Sequence, residues 1–441
     1  MDAGRDDGLV GVRSKPYVAP IYEGAWYVAP NGADYATGQA SAPFSLRAAL
    51  TKAMQSPATA GQQIYLRGGH YVHDGQLVVD VGGSEGNPLT ISNYPNEAAI
   101  IHCPIRQTGA HVRWLSTDYG LIRADTSTDR VGDPPASMAS GIVIEAAGVD
   151  VINLRVENVV GTGIDWFAPY AGQIYGCIVH SNGYVGSGRD HGPGIYTAND
   201  NPAVEKALAN LILLNNARYS VQAADGGYNR DVLNYRLRDI AAYSLYVGST
   251  RVDGCQIERL YLYGVAPKFG QNSTSEVVHG SLTLTESVVD GVVNQPPSAF
   301  SAEKFTSLTV ADNQFTSANY DNLTVPDGTY NIQAITPVTN GQFVNLVPNT
   351  YAPDYATLTV FDFDEVGSVA CDVSDWLLNG AVRVHNPMLW NEALELAVTD
   401  GVVSLPMTGW TTPLPTGFDT SPWGLATVFS AHFGAFILRK L

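Results

Sequence analysis

Three adjacent ionisable side chains, Arg189, Asp190 and His191, lie in the glycine-rich segment 186–199. Glycine and proline in this segment oppose a helix. The segment therefore predicts a loop that presents a cation, a carboxylate and an imidazole beside a strand starting at Ile195. Loops held by a rigid scaffold often carry catalytic and binding residues. The alternative is a tight turn in which Arg189 and Asp190 only cap their own backbone.

Three aspartates, Asp165, Asp190 and Asp225, each end or follow a short strand-like segment. Stacking of these segments would bring the three carboxylates to one face. Glycoside hydrolases use such carboxylate groups for acid–base chemistry. The same oxygen ligands would suit Ca²⁺, so a calcium cluster is an alternative. Each aspartate could instead bond its own turn backbone.

Aromatic and polar side chains surround these candidates in the sequence. Flat aromatic rings can stack on sugar rings, and we expect roughly half of the group to be buried instead. The aromatic group is Trp166, Phe167, Tyr170, Tyr184, Tyr196, Tyr219, Tyr228 and Tyr246. The substrate-binding candidates are Trp166, Tyr184, Tyr196, Tyr228, Asn229 and Arg230. His180 and His279 lie in strand patterns and are predicted to be structural.

The composition favours an all-β protein of more than one structural unit. A chain of 441 residues is too long for one ordinary compact core. Its 44 glycines, 25 prolines and 23 tyrosines are typical of a sheet with many turns. A net charge of −18 argues against nucleic acid or an anionic membrane as partner. It leaves an acidic glycan open, because a local basic cluster can act within an acidic protein.

The cysteines and the termini add two expectations. Cys103, Cys177, Cys255 and Cys371 are widely spaced, which predicts small buried side chains rather than a metal site or disulfide framework. The sequence contains no run of 18 apolar residues, which is the pattern that would predict a membrane-spanning helix. Residues 1–20 lack the apolar core of a secretory signal. We expect either removal of a secretion sequence or release by lysis, as with virus particles.

Short apolar strands, each followed by Asn, Asp or Ser, recur through the middle of the chain with second strands between them. The steps of roughly 20 to 35 residues are typical of a solenoid, in which stacked coils share one core. The longest step contains Arg189–His191. The predicted equivalent positions are Leu154, Ile178, Leu213, Leu237, Ile257, Leu284 and Val310.

The opening of the chain carries a resemblance to a known family. A strand starting at Trp26 is followed by a helix pattern after Pro43 that places Leu46, Ala49, Leu50, Ala53 and Met54 on one face. A Leu-Arg-Gly-Gly-x-Tyr strand then follows. This ordered set resembles the first coils of right-handed parallel β-helix proteins of the pectate-lyase-like superfamily. The resemblance implies that the short helix plugs the N-terminal end of the solenoid.

Near residue 320 the pattern changes to alternating strands, which predict an antiparallel β-sandwich. This part resembles a C-terminal β-domain of some bacterial proteins of the same type. The predicted organisation is an arm over residues 1–22, a β-helix over 23–318 and a sandwich over 319–441. The boundary is expected between about 318 and 342.

The segment from Arg189 to Gly192 is similar to the Arg-x-His-Gly element of alginate-lyase-like β-helix enzymes. The resemblance implies that Arg189 and His191 bind substrate or transfer protons, with a lysine from a neighbouring coil. Lys268 is the best-placed candidate, whereas Lys206 is expected in a solvated helical turn. Asp165, Asp190 and Asp225 complete the predicted catalytic set.

Two functions from different classes follow. The first is a glycan-directed protein that binds an extracellular polysaccharide along the β-helix and, if catalytic, is a polysaccharide lyase or glycoside hydrolase. The second is a non-catalytic adhesin or spike on a virus particle, such as a homotrimer. Both predict an extracellular or virion-associated protein. Ca²⁺ is the one cofactor considered.

Overall fold

A computed structural model describes residues 24–51, 60–117, 119, 121–123, 139–186, 190–223, 230–248, 250–270, 277–291, 300–324, 329–418 and 429–441. The predicted N-terminal arm, residues 1–22, lies outside these ranges. Nearly all regular structure in the described residues is β, and the described helix, α1, is only Leu46–Leu50. The all-β prediction is confirmed.

Most strands belong to a parallel solenoid. In chain order they are β1 Trp26–Ala33, β2 Gln63–Leu66, β3 Gly69–Val72, β4 Leu77–Val79, β5 Leu89–Asn93, β6 Ala99–His102, β7 Ile105–Gln107, β8 Val112–Leu115, β9 Leu121–Arg123, β10 Ile142–Ile144, β11 Val149–Ile152, β12 Arg155–Glu157, β13 Ile164–Trp166, β14 Gly172–Tyr175, β15 Ile178–His180, β16 Tyr184–Val185, β17 Asp190–His191, β18 Ile195–Thr197, β19 Lys206–Leu214, β20 Val221–Ala223, β21 Val232–Ala242, β22 Leu245–Val247, β23 Val252–Leu262, β24 Lys268–Phe269, β25 His279–Thr285, β26 Val288–Val289, β27 Phe300–Glu303, β28 Phe305–Ala311, β29 Gln314–Phe315, β30 Tyr320–Thr324 and β31 Thr329–Ile332.

Apart from β16 and β17, these strands stack in three parallel columns, as a β-helix requires. The first column runs β1-β2-β5-β8-β11-β14-β19-β21-β23-β25-β28-β31. The second runs β3-β6-β9-β12-β15 and continues through the later halves of β19, β21 and β23 to β26 and β29. The third is a separate ten-stranded sheet, β4-β7-β10-β13-β18-β20-β22-β24-β27-β30. Each turn of the chain adds one strand to each column.

A row of inward-facing side chains in the first column forms the solenoid core. Leu237, Ile257, Leu284 and Val310 pair in register as predicted. The predicted equivalence of Ile178 and Leu213 with this row is wrong, because both lie in the second column; Leu154, just before β12, is not in the row either. The row instead continues, towards the N-terminus, through Leu208, Ile174, Val151, Trp114, Ile91, Ile64 and Trp26.

A single residue with positive φ turns the chain from the first column to the second in successive coils. The φ angles of these corner residues lie between 52° and 65°. Glycine and asparagine adopt this region most easily. At the corner formed by Arg259, the side chain makes ion pairs with the neighbouring corners: Nε lies 2.7 Å from Asp239 Oδ1 and Nη1 lies 3.1 Å from Glu286 Oε2. The corner residues are Asn153, Gly176, Asn210, Asp239, Arg259, Glu286 and Asp312.

Buried asparagines tie successive coils together after the second column. Asn182 is fully buried, and its Oδ1 accepts a hydrogen bond from the Val159 N–H at 2.9 Å. Its Nδ2 donates to Val156 O at 3.2 Å and to Asn216 Oδ1 at 2.9 Å. Asn216 repeats the pattern by donating to Val179 O at 3.0 Å. This ladder supplies partners that buried backbone groups need.

Helix α1 covers the N-terminal end of the core, as predicted. The Ser45 hydroxyl caps it by accepting a hydrogen bond from the Ala48 N–H at 3.1 Å. Leu46, Ala49 and Leu50 pack into the solenoid core. The predicted continuation through Ala53 and Met54 lies outside the described residues.

The C-terminal strands form two antiparallel sheets around a second core. A five-stranded sheet has the order β32-β33-β38-β35-β36, and β34 pairs with β37. Buried side chains of both sheets share one apolar cluster. The strands are β32 Gln342–Pro348, β33 Tyr355–Asp362, β34 Ser368–Asp372, β35 Gly380–His385, β36 Ala393–Val398, β37 Val402–Pro406 and β38 Phe433–Lys440.

The β-helix continues past residue 318 and ends within the range of about 318 to 342 in which the boundary was expected. Strand β30 pairs with β27, and β31 pairs with β28 in the parallel register of the preceding coils. The solenoid therefore ends at Ile332, and the first C-terminal strand begins at Gln342.

The C-terminal domain packs on the outer face of the second column. Tyr263 stacks on Phe433 with ring centroids 4.2 Å apart. Asn349 Nδ2 donates to Tyr119 Oη at 2.8 Å. His432 Nε2 lies 2.9 Å from Asp290 Oδ2, and this hydrogen bond raises the pKa of His432. The two domains thus share apolar, polar and ionic contacts.

Further predictions about buried groups are confirmed. The four cysteines are free and buried. His180 Nε2 lies 2.7 Å from Glu157 Oε2, and His279 Nδ1 accepts from the Val252 N–H at 3.1 Å. Both histidines are therefore structural. Within the described ranges, no helix has the length and apolarity needed to cross a bilayer.

Replacing Asn182 by alanine should destabilise the β-helix by about 2–4 kcal/mol, because it leaves buried backbone and amide groups without partners. Chemical denaturation followed by circular dichroism would measure the loss. Asn391→Ala, at an exposed turn, is the matched control and should change stability by less than about 0.5 kcal/mol. Equal effects of both substitutions would contradict the ladder's role.

Replacing His432 by glutamine should remove a pH-dependent part of the stability. Because the folded-state pKa of His432 is raised, the charged pair stabilises the fold fully below the ordinary histidine pKa. That contribution, about 1 kcal/mol, is lost as the pH rises through the folded pKa. Thermal unfolding should separate wild type from H432Q at about pH 6 and bring them together at about pH 9. A difference that grows with pH would contradict this assignment.

Candidate functional site

The third column consists of short strands that stack in register along the solenoid. In β13 and β18 the first and third side chains are buried and the middle one is partly exposed, whereas all three side chains of β20 and β22 are buried. Register pairing places these middle residues in a continuous line, the outer row. The outer row is Val78, Arg106, Val143, Asp165, Tyr196, Gln222, Tyr246, Lys268 and Ser301.

Asp165 is a carboxylate of the outer row with a perturbed pKa. Burial raises its pKa to about 6, against the influence of the Lys206 ammonium, and the nearby Glu145 carboxylate raises it further. The Phe167 N–H donates a hydrogen bond that acts in the opposite direction. Asp165 can therefore gain or lose a proton near neutral pH, as general acids and bases do.

Lys206 lies inside the solenoid beneath this position, so the prediction of a solvated helical turn is wrong. Its side chain is fully buried in β19, where Nζ donates to Trp166 O at 2.6 Å and to Ala198 O at 2.7 Å. Burial lowers its pKa well below the ordinary value, while Asp165 acts to raise it. Parallel pairing with β14 and β21 has overridden a helix-like local sequence.

The two aromatic candidates beside Asp165 differ in orientation. Tyr196 follows Asp165 in the outer row, is half-buried, and meets Phe167 edge to face with centroids 4.5 Å apart. Trp166 is only 1% exposed, and its ring lies 4.4 Å from Lys206 Nζ. Trp166 therefore does not fit the predicted role of stacking on a sugar.

Asp190 and His191 form a short strand that pairs with β16, rather than lying in an isolated loop. Strand β16 pairs antiparallel with β17, and the His191 ring stacks on Tyr184 with centroids 4.8 Å apart. Gly183 and Gly192, at positive φ, pack so closely that a Cβ on Gly192 would lie 2.4 Å from Gly183 Cα. Tyr184 is 5% exposed, which leaves little of its ring for a ligand.

Lys268 and Asp165 share the outer row but do not converge. Tyr196, Gln222 and Tyr246 lie between them, so the two backbones are about 19 Å apart at the usual spacing of about 4.8 Å between strands. One active centre containing both side chains, as predicted from the sequence, is therefore wrong for this pair.

The other predicted site residues have different outcomes. Arg230 is ion-paired with Asp200, which also accepts the Asp231 N–H at 2.8 Å. Asp190 contributes backbone to the hairpin, but its side chain lies outside the description. Arg189, Asp225, Tyr228 and Asn229 lie outside the described residues, and their roles stay predictions.

Two residues of this region were not singled out from the sequence. Glu145 follows β10 and pairs with Arg106, with Oε2 2.8 Å from Nε; a carboxylate directly after a strand was the available signal. Arg218 lies over the Tyr219 ring at 5.3 Å, and Tyr219 stacks on Tyr246 with centroids 5.0 Å apart. An arginine beside a tyrosine is too common to have indicated this stack.

The structure leaves the calcium alternative untested. In the part of the chain that the structure describes, no group of three or more His, Cys, Asp or Glu side chains is placed to hold a metal ion. Of the proposed calcium ligands, only the Asp165 side chain lies in that part.

A family model covers the part of the chain that contains Asp165 and Tyr196. The family model described as Pel9A-like, right handed beta helix region, matches residues 26–245. A segment of 76 residues is 37% identical to pectate lyase PEL9 of Emericella nidulans, covering 17% of this chain and 17% of that protein. The chain thus matches less than a fifth of this curated relative's length.

Solved structures with a similar fold have low sequence identity. Pectate lyase Pel9A is 15% identical, with 67% of this chain and 78% of that chain covered and a TM-score of 0.39. A structure described as a glycoside hydrolase is 9% identical, with 71% and 95% covered and a TM-score of 0.40. The Dettilon tailspike protein is 10% identical, with 94% and 93% covered and a TM-score of 0.30.

Replacing Asp165 by asparagine should stabilise the protein at neutral pH. The folded-state pKa of about 6 exceeds the ordinary 3.8, so ionised Asp165 disfavours the fold above that range. The gain should be at most about 2 kcal/mol at about pH 7.5 after solvent screening, and should vanish below about pH 4. Urea denaturation at both pH values would measure it. A D165N variant less stable than wild type at neutral pH would contradict the raised pKa.

Proposed function

We propose that this chain, a right-handed parallel β-helix protein of the pectate-lyase-like superfamily, binds an extracellular polysaccharide along the outer row and cleaves it at Asp165. The observation that supports cleavage is the pKa of Asp165, raised to about 6 in a partly open position. Carboxyl groups with a raised pKa in a partly open position are concentrated at functional sites.

The outer row supports binding of an extended chain. Parallel strands place its side chains at regular intervals along the solenoid axis, so a linear polymer would meet them in succession. Tyr196 and Phe167 offer aromatic surface directly beside Asp165. The match to the Pel9A-like model covers both Asp165 and Tyr196, which favours a carbohydrate ligand at this place.

Two chemistries use a group with this pKa. In hydrolysis, protonated Asp165 gives its proton to the glycosidic oxygen as that bond breaks, and water adds to the anomeric carbon. In β-elimination, ionised Asp165 removes the proton beside a uronate carboxylate, a double bond forms, and the glycosidic oxygen leaves. The nearby Glu145 carboxylate favours the first, and the short similarity to a pectate lyase favours the second.

Incubation with polygalacturonate, alginate and neutral glycans should release product from at least one polymer. Elimination gives unsaturated ends that absorb in the ultraviolet, whereas hydrolysis gives reducing ends without that absorbance. The rate should fall as the pH rises through about 6 if Asp165 acts as an acid, and rise if it acts as a base.

The variant D165N should lose at least about 100-fold in rate. Asp400→Asn, in a turn of the C-terminal domain with φ of 50°, is the matched control and should keep the wild-type rate. Full activity of D165N, or no product from a broad panel with wild type, would contradict the proposal. Tight binding without product would favour the adhesin alternative, for which virion attachment and trimer formation remain predictions.

A further inference from the structure

Two histidines meet on the outer face of the second column, near the N-terminal end of the solenoid. His70 lies in β3 and His102 in β6, and these strands pair in parallel register with Tyr71 opposite Ile101. Tyr71 and Ile101 are buried in the solenoid core, so the residues on either side of them face outwards. His70 is accordingly exposed, and His102 is half-buried.

The imidazole rings of these two residues, the histidine pair, approach each other closely. His70 Nδ1 lies 2.7 Å from His102 Nε2, the ring planes are within 11° of each other, and the ring centroids are 5.0 Å apart. At this distance one nitrogen donates a hydrogen and the other accepts it through its lone pair. At least one of the two rings is therefore neutral and offers a lone pair at the contact.

The histidine pair depends on the fold and lies on an open part of the surface. The two residues are 32 positions apart in the sequence, so the stacking of successive coils is what brings their rings together. The apolar cluster that the C-terminal domain shares with the second column includes Tyr119 but, among the described residues, no member of β3 or β6. The neighbouring Val72 side chain is 78% exposed. An ion in solution can therefore reach the pair.

Two imidazoles side by side favour a transition-metal ion as ligand. Imidazole nitrogen binds Zn²⁺, Ni²⁺ and Cu²⁺, whereas Ca²⁺ and Mg²⁺ take oxygen ligands. Metal–nitrogen bonds of about 2.0–2.1 Å place two nitrogen ligands of one ion about 3.0–3.4 Å apart. The facing nitrogens of the histidine pair, 2.7 Å apart, need to separate by only about 0.3–0.7 Å as the shared proton is released. A small rotation of the exposed His70 side chain allows this.

We propose that the histidine pair binds one divalent transition-metal ion, Zn²⁺, Ni²⁺ or Cu²⁺, through His70 Nδ1 and His102 Nε2. Water fills the remaining coordination positions, because the described residues contain no third His, Cys, Asp or Glu side chain placed to complete the site. The bound ion replaces one hydrogen bond between two successive coils by two metal–ligand bonds. The site lies on the second column, whereas the outer row lies on the third, so the proposal does not depend on the proposed function.

Titration of metal ions into the whole chain, without a polyhistidine tag and after treatment with a chelator, would test the proposal. Isothermal titration calorimetry should show one Cu²⁺ bound at the pair, with weaker binding of Ni²⁺ and Zn²⁺ at the same site. An excess of Ca²⁺ or Mg²⁺ should not displace the Cu²⁺. Electron paramagnetic resonance of the copper-loaded protein should show splitting from nitrogen ligands.

Variants of the two histidines separate metal binding from folding. His70→Ala and His102→Ala should each weaken Cu²⁺ binding by at least about tenfold, because each removes one of two protein ligands. His70→Gln keeps a hydrogen-bonding side chain at that position and should lose Cu²⁺ binding to the same extent. His111→Asn is the matched control, because His111 has a φ of 54°, which asparagine adopts easily, and this variant should bind as wild type does.

Thermal unfolding gives a second readout that does not depend on calorimetry. Saturating Zn²⁺ should raise the unfolding midpoint of wild type by about 2 °C or more, because coil stacking in the folded state forms the site. The His70→Ala, His102→Ala double variant should show no such increase. No measurable binding of Zn²⁺, Ni²⁺ or Cu²⁺ by wild type, unchanged Cu²⁺ binding by the double variant, or loss of binding in His111→Asn would overturn the proposal.

Discussion

Backbone register between successive coils is the constraint on which the other features of the β-helix depend. Each coil pairs with the coil before and after it, so one inward residue of each strand meets its equivalent above and below. The corner residues with positive φ make this repetition feasible, because one residue turns the chain without interrupting the pairing. The Asn182 and Asn216 ladder supplies hydrogen bonds where pairing alone cannot. A slip of one residue would turn the buried side chains outwards.

The same register separates charge buried in the wall from charge on the outer face of the third column. Inside the wall, Lys206 is bound by backbone carbonyls, and under the C-terminal domain Glu157 is bound by Arg155 and His180. On the third column, Asp165 and Lys268 face outwards. The C-terminal domain covers the outer face of the second column, so that flank is occupied within the chain. The third column thereby carries the candidate site.

Much of the fold could be predicted from the sequence, whereas the site could be predicted only in part. Apolar strands followed by Asn or Asp reveal the coils because backbone pairing and corner turns are local requirements. Alternation in Gly-Ile-Asp-Trp also implies that Asp165 and Trp166 face opposite sides, which the sequence prediction did not apply to Trp166. The burial of Lys206 and the aromatic stack of Tyr219 on Tyr246 depend on residues from other coils. Such contacts cannot be derived from local spacing, and the registers of Ile178 and Leu213 were wrong for the same reason.

The three-residue strands of the third column have a consequence for how this architecture can change. Where the middle side chain is partly exposed, as in β13 and β18, a substitution there changes the outer surface at smaller structural cost than one in the core. The column therefore presents one middle residue per coil at a regular spacing. Duplication or deletion of one whole coil between Tyr196 and Tyr246 would change the distance between these two residues along the solenoid axis by about 4.8 Å. Polymer-repeat selectivity in such a scaffold could thus evolve through the number of coils as well as through residue identity.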